Sequence, residues 1–192
     1  MKEAQHRSRR KIIVYLSASA DGYIARADGS VDFLNERPRL KGHYDIGRFY
    51  RSIDTVLWGR KTYDQALEFQ RQGVTRAPFD PHVRNYAFSH RPPAEVAKHV
   101  EFVTEDVGTF ARRVRAKRGK NIWMIGGAGI IGAFLDAGEL DEFVINVVPV
   151  FIGEGIPLLS PGHRRVPLEL LSTKKYPDGV VKLHYRVKRS RS

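Results

Sequence analysis

The sequence predicts a single α/β domain built on a mixed, mostly parallel sheet of about eight strands, with helices on both faces and an antiparallel hairpin at the end. Three observations carry this. Apolar runs of strand length alternate with helical stripes along most of the chain. The run 142–151 is apolar on both faces, as a strand in the middle of a sheet is. Pro177-Asp178-Gly179 then separates two strand-like runs, about 166–175 and 180–188. In the second, Val181, Leu183, Tyr185 and Val187 alternate with Lys182, His184 and Arg186, the pattern of a half-buried hairpin.

Residues 11–19 (KIIVYLSAS) are rich in β-branched and aromatic side chains and stop at Asp21-Gly22, so they read as the first strand. A polar stretch with Asp28-Gly29 and Pro38 follows as a long loop. Ile46, Phe49, Tyr50 and Ile53 are spaced as one face of a helix. Residues 55–58 give a short strand, and Tyr63, Ala66 and Leu67 mark a second helix. Pro78 and Pro81 break the chain before short strands at 85–89 and 100–104. Val107, Phe110, Ala111 and Val114 recur at helical spacing, with Arg112, Arg113, Arg115 and Lys117 mostly on the other side. A strand at 121–125 runs into Gly126-Gly127-Ala128-Gly129, and Ile130, Ile131, Phe134 and Leu135 then mark a helix that stops near Gly138.

Length and composition fit one globular unit: 192 residues, 42% hydrophobic and 28% charged. With no cysteine there is no disulfide, thiolate nucleophile or zinc–thiolate site. No metal site is expected, since the seven histidines lack ligand spacing. No run approaches the ~20 apolar residues of a membrane span, and the N-terminus lacks an apolar signal core, so a cytoplasmic protein is expected. The net charge of +12 is concentrated at the ends. Lys2, Arg7, Arg9, Arg10 and Lys11 face only Glu3, and Lys182, Arg186, Lys188, Arg189 and Arg191 face no acid at all. Basic tails at 1–10 and 189–192 are therefore expected to flank a domain at 11–188. Specific nucleic-acid binding, which would draw charge from interior elements, is not expected.

The chemistry sits at strand-to-helix junctions. At Ile125-Gly126-Gly127-Ala128-Gly129-Ile130 a strand enters a helix through glycines, which let backbone approach a ligand at the helix N-terminus, where phosphate is favoured. The same glycines would also make a tight turn. The motif is not GxGxxG and lies far from the first strand, which argues against a Rossmann domain. A second junction, Gly59-Arg60-Lys61-Thr62-Tyr63, puts two cations in a first helical turn, where they oppose the dipole and a bound anion would offset the cost. A third strand ends at Ser89-His90-Arg91.

In order and spacing these segments resemble dihydrofolate reductases, and 17–25 (SASADGYIA) looks like that family's first strand and the loop after it. Residues 148–158 (VPVFIGEGIPL) are more similar to a sister group, the C-terminal reductase domain of the bifunctional riboflavin-biosynthesis enzyme with its stand-alone relatives. The resemblance spans about 11–188. It implies the dihydrofolate-reductase-like fold, NADPH as cofactor, and a homodimer, as is common among the riboflavin-type relatives. By position, Arg60 and His90 with Ser89 would face the 2′-phosphate. Lys61 and Thr62 would line the pyrophosphate, with Gly127, Ala128 and Gly129 on its other side, and Gly59, Ile125, Gly126 and Ile130 are further cofactor-binding candidates. Ser17 and Ile24 would lie near the nicotinamide, and a cis peptide is expected between Gly126 and Gly127.

Hydride transfer needs a proton source. By the resemblance, Asp45 is nearest to the carboxylate that holds the pterin in folate enzymes, though it also reads as an acid placed favourably at a helix start. Asp32 and Glu36 are its rivals. Asn146, polar in an apolar strand, either faces the substrate or is paired near the strand end. Tyr50 is a second substrate-side candidate, with His43 and Tyr44 as further pocket residues. No GxSxG elbow supports serine chemistry. The leading expectation is an NADPH-dependent reductase of a small heterocycle of pteridine, pyrimidine or ribosylamino type. A genuine dihydrofolate reductase is the alternative, and a non-catalytic polyanion-binding module is the competitor from another class.

Overall fold

The computed structural model describes residues 9–35, 43–162 and 165–188. Its strands are β1 (Ile12–Ser19), β2 (Tyr23–Ala25), β3 (Ile53–Gly59), β4 (Arg84–Phe88), β5 (Val100–Val103), β6 (Asn121–Gly126), β7 (Glu142–Val148), β8 (Ile156–Pro157), β9 (Leu168–Lys175) and β10 (Val181–Val187). The helices are α1 (Asp32–Asn35), α2 (Ile46–Tyr50), α3 (Arg60–Arg71), α4 (Val107–Ala116) and α5 (Ala128–Asp136).

Eight strands form one sheet in the order β5-β4-β3-β6-β1-β7-β10-β9, so the mixed sheet expected from the sequence is present. The pairings from β5 to β7 are parallel, and β10 runs antiparallel to both β7 and β9. Helices cover both faces. On one, Phe110, Ala111 and Val114 of α4 and Ile131, Phe134 and Leu135 of α5 pack on Ile12, Val14, Leu57, Ile122 and Met124. On the other, Tyr63 and Ala66 of α3 meet Ile53, Val56 and Trp58, while Ile46 and Phe49 of α2 lie on Ile13, Tyr15 and Val144. The alternation along β1 explains the split, because odd and even residues of a strand face opposite sides.

Two parts of the stretch between the first strand and the first long helix differ from expectation. Tyr23–Ala25 pairs antiparallel with Ile156–Pro157 as a separate two-stranded sheet. Asp32–Asn35 forms a short helix whose Phe33 is fully buried. Three-residue strands and one-turn helices carry too little periodicity to be seen in sequence.

The body also begins earlier than residue 11. Arg10 is only 5% exposed. It donates to the carbonyl oxygens of Lys120 at 2.6 Å and Val114 at 2.9 Å, to Thr55 Oγ1 at 2.9 Å, and to Asp54. Arg9 pairs with Glu139 at 2.9 Å. Both therefore belong to the body; residues 1–8 and 189–192 lie outside the described part. Arg115, grouped in the sequence with the residues mostly opposite the apolar stripe, has a buried side chain as well. It donates to the Arg10 and Glu139 carbonyl oxygens at 3.1 and 2.5 Å and pairs with Asp141 at 2.8 Å. Buried guanidinium groups need acceptors, and although Arg115 Nε is left without a hydrogen bond, these two side chains tie the start of β1 to α4 and the approach to β7.

Candidate functional site

β3 and β6 are parallel neighbours, with Trp58 opposite Gly126, so α3 and α5 start side by side. Gly59 and Gly127 stand at their N-caps, and neither helix start has a side-chain cap. The first-turn N–H groups of both helices are thus left to a ligand or water. The two turns touch. A Cβ on Gly59 would lie 3.0 Å from Gly127 N and 3.1 Å from Ile130 Cγ2, and one on Gly127 would lie 3.2 Å from Thr62 Oγ1. The Gly126–Gly127 peptide is cis, as the resemblance implied, and Gly126 has φ 130°. Ile125 packs on the α3 side of the sheet and Ile130 on the α5 side. Ala128 is buried and Gly129 is exposed at the start of α5.

β4 adds a third strand end beside β3. Ser89 Oγ accepts from Arg91 N at 3.1 Å and donates to the Arg91 carbonyl oxygen at 2.9 Å, closing a turn that leaves His90 exposed. Arg60 crosses from α3 to this turn. Its Nε donates to both Asp64 carboxylate oxygens at 3.0 and 2.9 Å, and its Nη1 donates to the Arg91 carbonyl oxygen at 2.7 Å. The guanidinium also sits 5.9 Å from the centre of the Phe102 ring. Asp64 meets part of the electrostatic cost expected for a cation at this helix start, and the Arg60 fork is held in place before any ligand arrives. Lys61 is exposed beside it.

Ser17, Asn146 and Lys182 form the second half of the site. They are direct neighbours across β1, β7 and β10 and share one face of the sheet. Asn146 is 2% exposed, and its Nδ2 reaches Ser17 Oγ at 3.5 Å. Tyr15, two residues before Ser17, donates its hydroxyl to the Tyr44 carbonyl oxygen at 2.5 Å. Burial pushes that phenol upward from its usual range, against the nearby Lys182 and a hydrogen bond with Asn146.

Asp45 sits at the edge of this row. It stands before α2 with φ 69°, but its side chain makes no cap bond. Its carboxylate instead accepts from Lys182 Nζ at 2.5 Å, Tyr176 Oη at 2.7 Å and Lys174 Nζ at 3.0 Å. Those donors, Lys182 first, hold its carboxyl far below the usual range. Such a group stays an anion at neutral pH, so the expected proton-donor role does not suit it. Asp32 is no better placed: it is exposed at the start of α1, takes a hydrogen bond from Arg26 Nε at 2.6 Å, and is held low by it. Glu36 lies outside the described residues. Tyr50 donates to Asp80 Oδ2 at 2.7 Å and packs edge-on against Trp123, whose strand β6 is two strands away from β7. It is therefore not brought to Asn146. Tyr44 turns its hydroxyl to Asp178 and its ring edge to Tyr176. The side chain of His43 lies outside the described part.

The loop after β1 is stapled to the loop after β7. Asp21 Oδ1 accepts from Ser19 Oγ at 2.5 Å, and its Oδ2 accepts from the backbone N–H of Ile152 at 3.1 Å and Gly153 at 2.8 Å. Gly153 needs its φ of 80° for the turn. Gly155, φ 153°, passes so close to Ala25 that a Cβ would collide with the Ala25 carbonyl oxygen. Ile24 sits half-buried in β2 within this staple.

Sequence reasoning missed Tyr15, Lys174, Tyr176 and Lys182. Their one signal was that Lys182 alternates with apolar residues, and that pattern reads equally well as a solvent face. Only the pairing of β10 with β7 shows that Lys182 stands opposite Asn146.

Comparisons with known proteins agree with this geometry. The model of the RibD C-terminal domain family matches residues 10–182. YwjB of Bacillus subtilis (strain 168) is 36% identical over 180 residues, covering 92% of this chain and 97% of YwjB. A structure from Shewanella sp. PV-4, described as a riboflavin biosynthesis protein, superposes with TM-score 0.79 at 25% identity, over 93% of this chain and 99% of that one. Dihydrofolate reductase from Enterococcus faecalis, complexed with NADP(H) and RAB-propyl, shares the fold with TM-score 0.61 at 14% identity, over 93% and 97% of the two chains. The fold is thus dihydrofolate-reductase-like.

Proposed function

The chain belongs to the RibD C-terminal domain family, and from that premise we propose that it is a reductase that binds NADPH across the ends of β4, β3 and β6 and reduces a small heterocycle held against β1, β7 and β10. The carrying observation is the contact between two helix N-termini that lack side-chain caps. A Cβ at Gly59 would crowd Gly127, so the backbones form a cradle that only glycine leaves open. Such a cradle fits a pyrophosphate, with Lys61 and Thr62 along one side and Gly127, Ala128 and Gly129 along the other. Arg60, fixed by Asp64 and Arg91, and His90 are the groups for a 2′-phosphate. The E. faecalis structure with NADP(H), of the same fold, lends this reading support.

When bound, NADPH supplies hydride. The chain supplies orientation, exclusion of water and a proton. Ser17, at one end of the Ser17–Asn146–Lys182 row, and Ile24 in β2 are the residues for the nicotinamide. Tyr15, pushed upward by burial, holds its proton on that face at neutral pH, whereas Asp45 does not. Dihydrofolate is the poorer substrate fit, because the carboxylate that would bind a pterin is already occupied by Lys174, Lys182 and Tyr176.

Titration with NADPH and NADH, followed by cofactor fluorescence, tests the reading. NADPH should bind more tightly than NADH, and Arg60→Ala should weaken NADPH by tenfold or more, about 1.5–3 kcal/mol, while leaving NADH nearly unchanged. Binding of neither cofactor overturns the reading.

A further inference from the structure

Asn146 carries a feature that the reductase reading leaves unexplained. Its side chain is 2% exposed, between Val144 and Val148 on β7, yet its Oδ1 has no hydrogen-bond partner. Its Nδ2 reaches Ser17 Oγ at 3.5 Å, and the Tyr15 hydroxyl lies beside the amide. A buried carbonyl left unpaired is a standing cost, and a leucine of similar size would remove it. An acceptor kept at such a cost suits a donor that arrives with a ligand.

The surrounding charges narrow what that donor is. Lys182 stands directly opposite Asn146 and Tyr15 lies on the other flank. Asp45, the carboxylate nearest the row, has its oxygens taken by Lys174, Lys182 and Tyr176. Among the described residues, no free carboxylate faces Asn146, and the two lysines beside the row, Lys182 and Lys174, share the single Asp45 carboxylate, which leaves an excess of positive charge there. A cationic ring would meet repulsion here, and a neutral N–H would not.

We propose that Asn146 is the specificity-determining residue of the substrate face: its Oδ1 accepts a hydrogen bond from a neutral ring N–H, and the face rejects rings that bind as cations. The inference deepens the reductase reading and rests on it for the identity of the site. A pocket built around a hydrogen bond rejects an analogue that lacks the donor, because its own buried group is then left unpaired.

Three pteridines of similar size test it on the full chain by ligand fluorescence, with and without NADP⁺: lumazine, with neutral ring N–H groups, 1,3-dimethyllumazine, with none, and 2,4-diaminopteridine, which binds as a cation wherever a carboxylate faces it. Lumazine should bind at least tenfold more tightly than either of the others. Asn146→Leu should bring lumazine and its dimethyl analogue within about twofold of each other while raising Tm by about 2–4 °C, the gain from removing one orphaned group. Asn146→Asp should raise affinity for 2,4-diaminopteridine at least tenfold. Failure of lumazine to bind, equal binding of lumazine and its dimethyl analogue, a preference that survives Asn146→Leu, or a fall in Tm in that variant overturns the proposal. NADPH binding is scored separately. If NADPH binds and the lumazine preference is absent, the Asn146 proposal falls alone; if the preference holds and NADPH does not bind, the cofactor reading falls alone.

Discussion

Three donors converge on Asp45, and their effect on stability has a definite sign. Lys182, Tyr176 and Lys174 depress its folded-state pKa below the unfolded value, so the stabilisation is present above the usual carboxylate range and is lost as pH falls through and below it. The group is partly exposed, which limits the contribution to about 1 kcal/mol. Asp45→Asn should therefore lower Tm at pH 7, and the difference from the parent should narrow steadily as pH falls below the usual carboxylate range in a series of melts. Tyr176, buried and facing that anion, is pushed up to about 12 and remains a donor throughout. Tyr15 reads out differently. Tyr15→Phe keeps the ring stacked on Phe49 but removes the hydroxyl beside Asn146, so turnover should fall about tenfold or more while NADPH affinity stays within twofold. An unchanged rate with unchanged pH profile would exclude Tyr15 from proton supply. Arg60, Thr62 and the glycines were legible in the sequence because each acts within one strand–turn–helix junction. Tyr15, Lys182 and Tyr176 were not, since their roles depend on partners brought together from other elements, as Asp45 is brought to Lys182 across 137 residues of chain.

The pairing of β2 with β8 is made by backbone hydrogen bonds and by Asp21, with little apolar cover. Gly155→Ala should break it, because the added methyl group meets the Ala25 carbonyl oxygen at a φ that side chains rarely adopt. Amide hydrogen exchange should show protection lost at 22–25 and 156–158 while β1 and β7 keep theirs. Exchange that spreads through the main sheet would mean that the small sheet is not a separate unit. The PVFIGEG run was visible as a signature, but its reason was not. Gly155 needs a neighbour that lies 130 residues away, and no local pattern announces such an approach. By contrast, the main helices were read correctly because Phe110, Ala111 and Val114, or Ile131, Phe134 and Leu135, repeat with the period of the helix itself.

For the molecule as a whole, charge was the part of the sequence most easily misread. Arg10 counted toward a basic tail, yet it is buried and hydrogen-bonded to Asp54, Thr55, Val114 and Lys120. Removing one partner of a buried pair costs about 3 kcal/mol. Arg10→Ala should shift the urea midpoint by that equivalent, whereas deleting residues 1–8 should leave it within error. The order of strands was only partly legible: the hairpin and the parallel run followed from local patterns, but the place of β1 between β6 and β7 did not. That placement has a consequence during synthesis. β1 leaves the ribosome well before the strands beside it: Ile12–Ser19 finds both of its neighbours only after residues 121–126 and 142–148 have been made. Until then an apolar strand waits unpaired, open to chaperones or to other nascent chains, and a product released early exposes the segment that the finished protein hides at its centre.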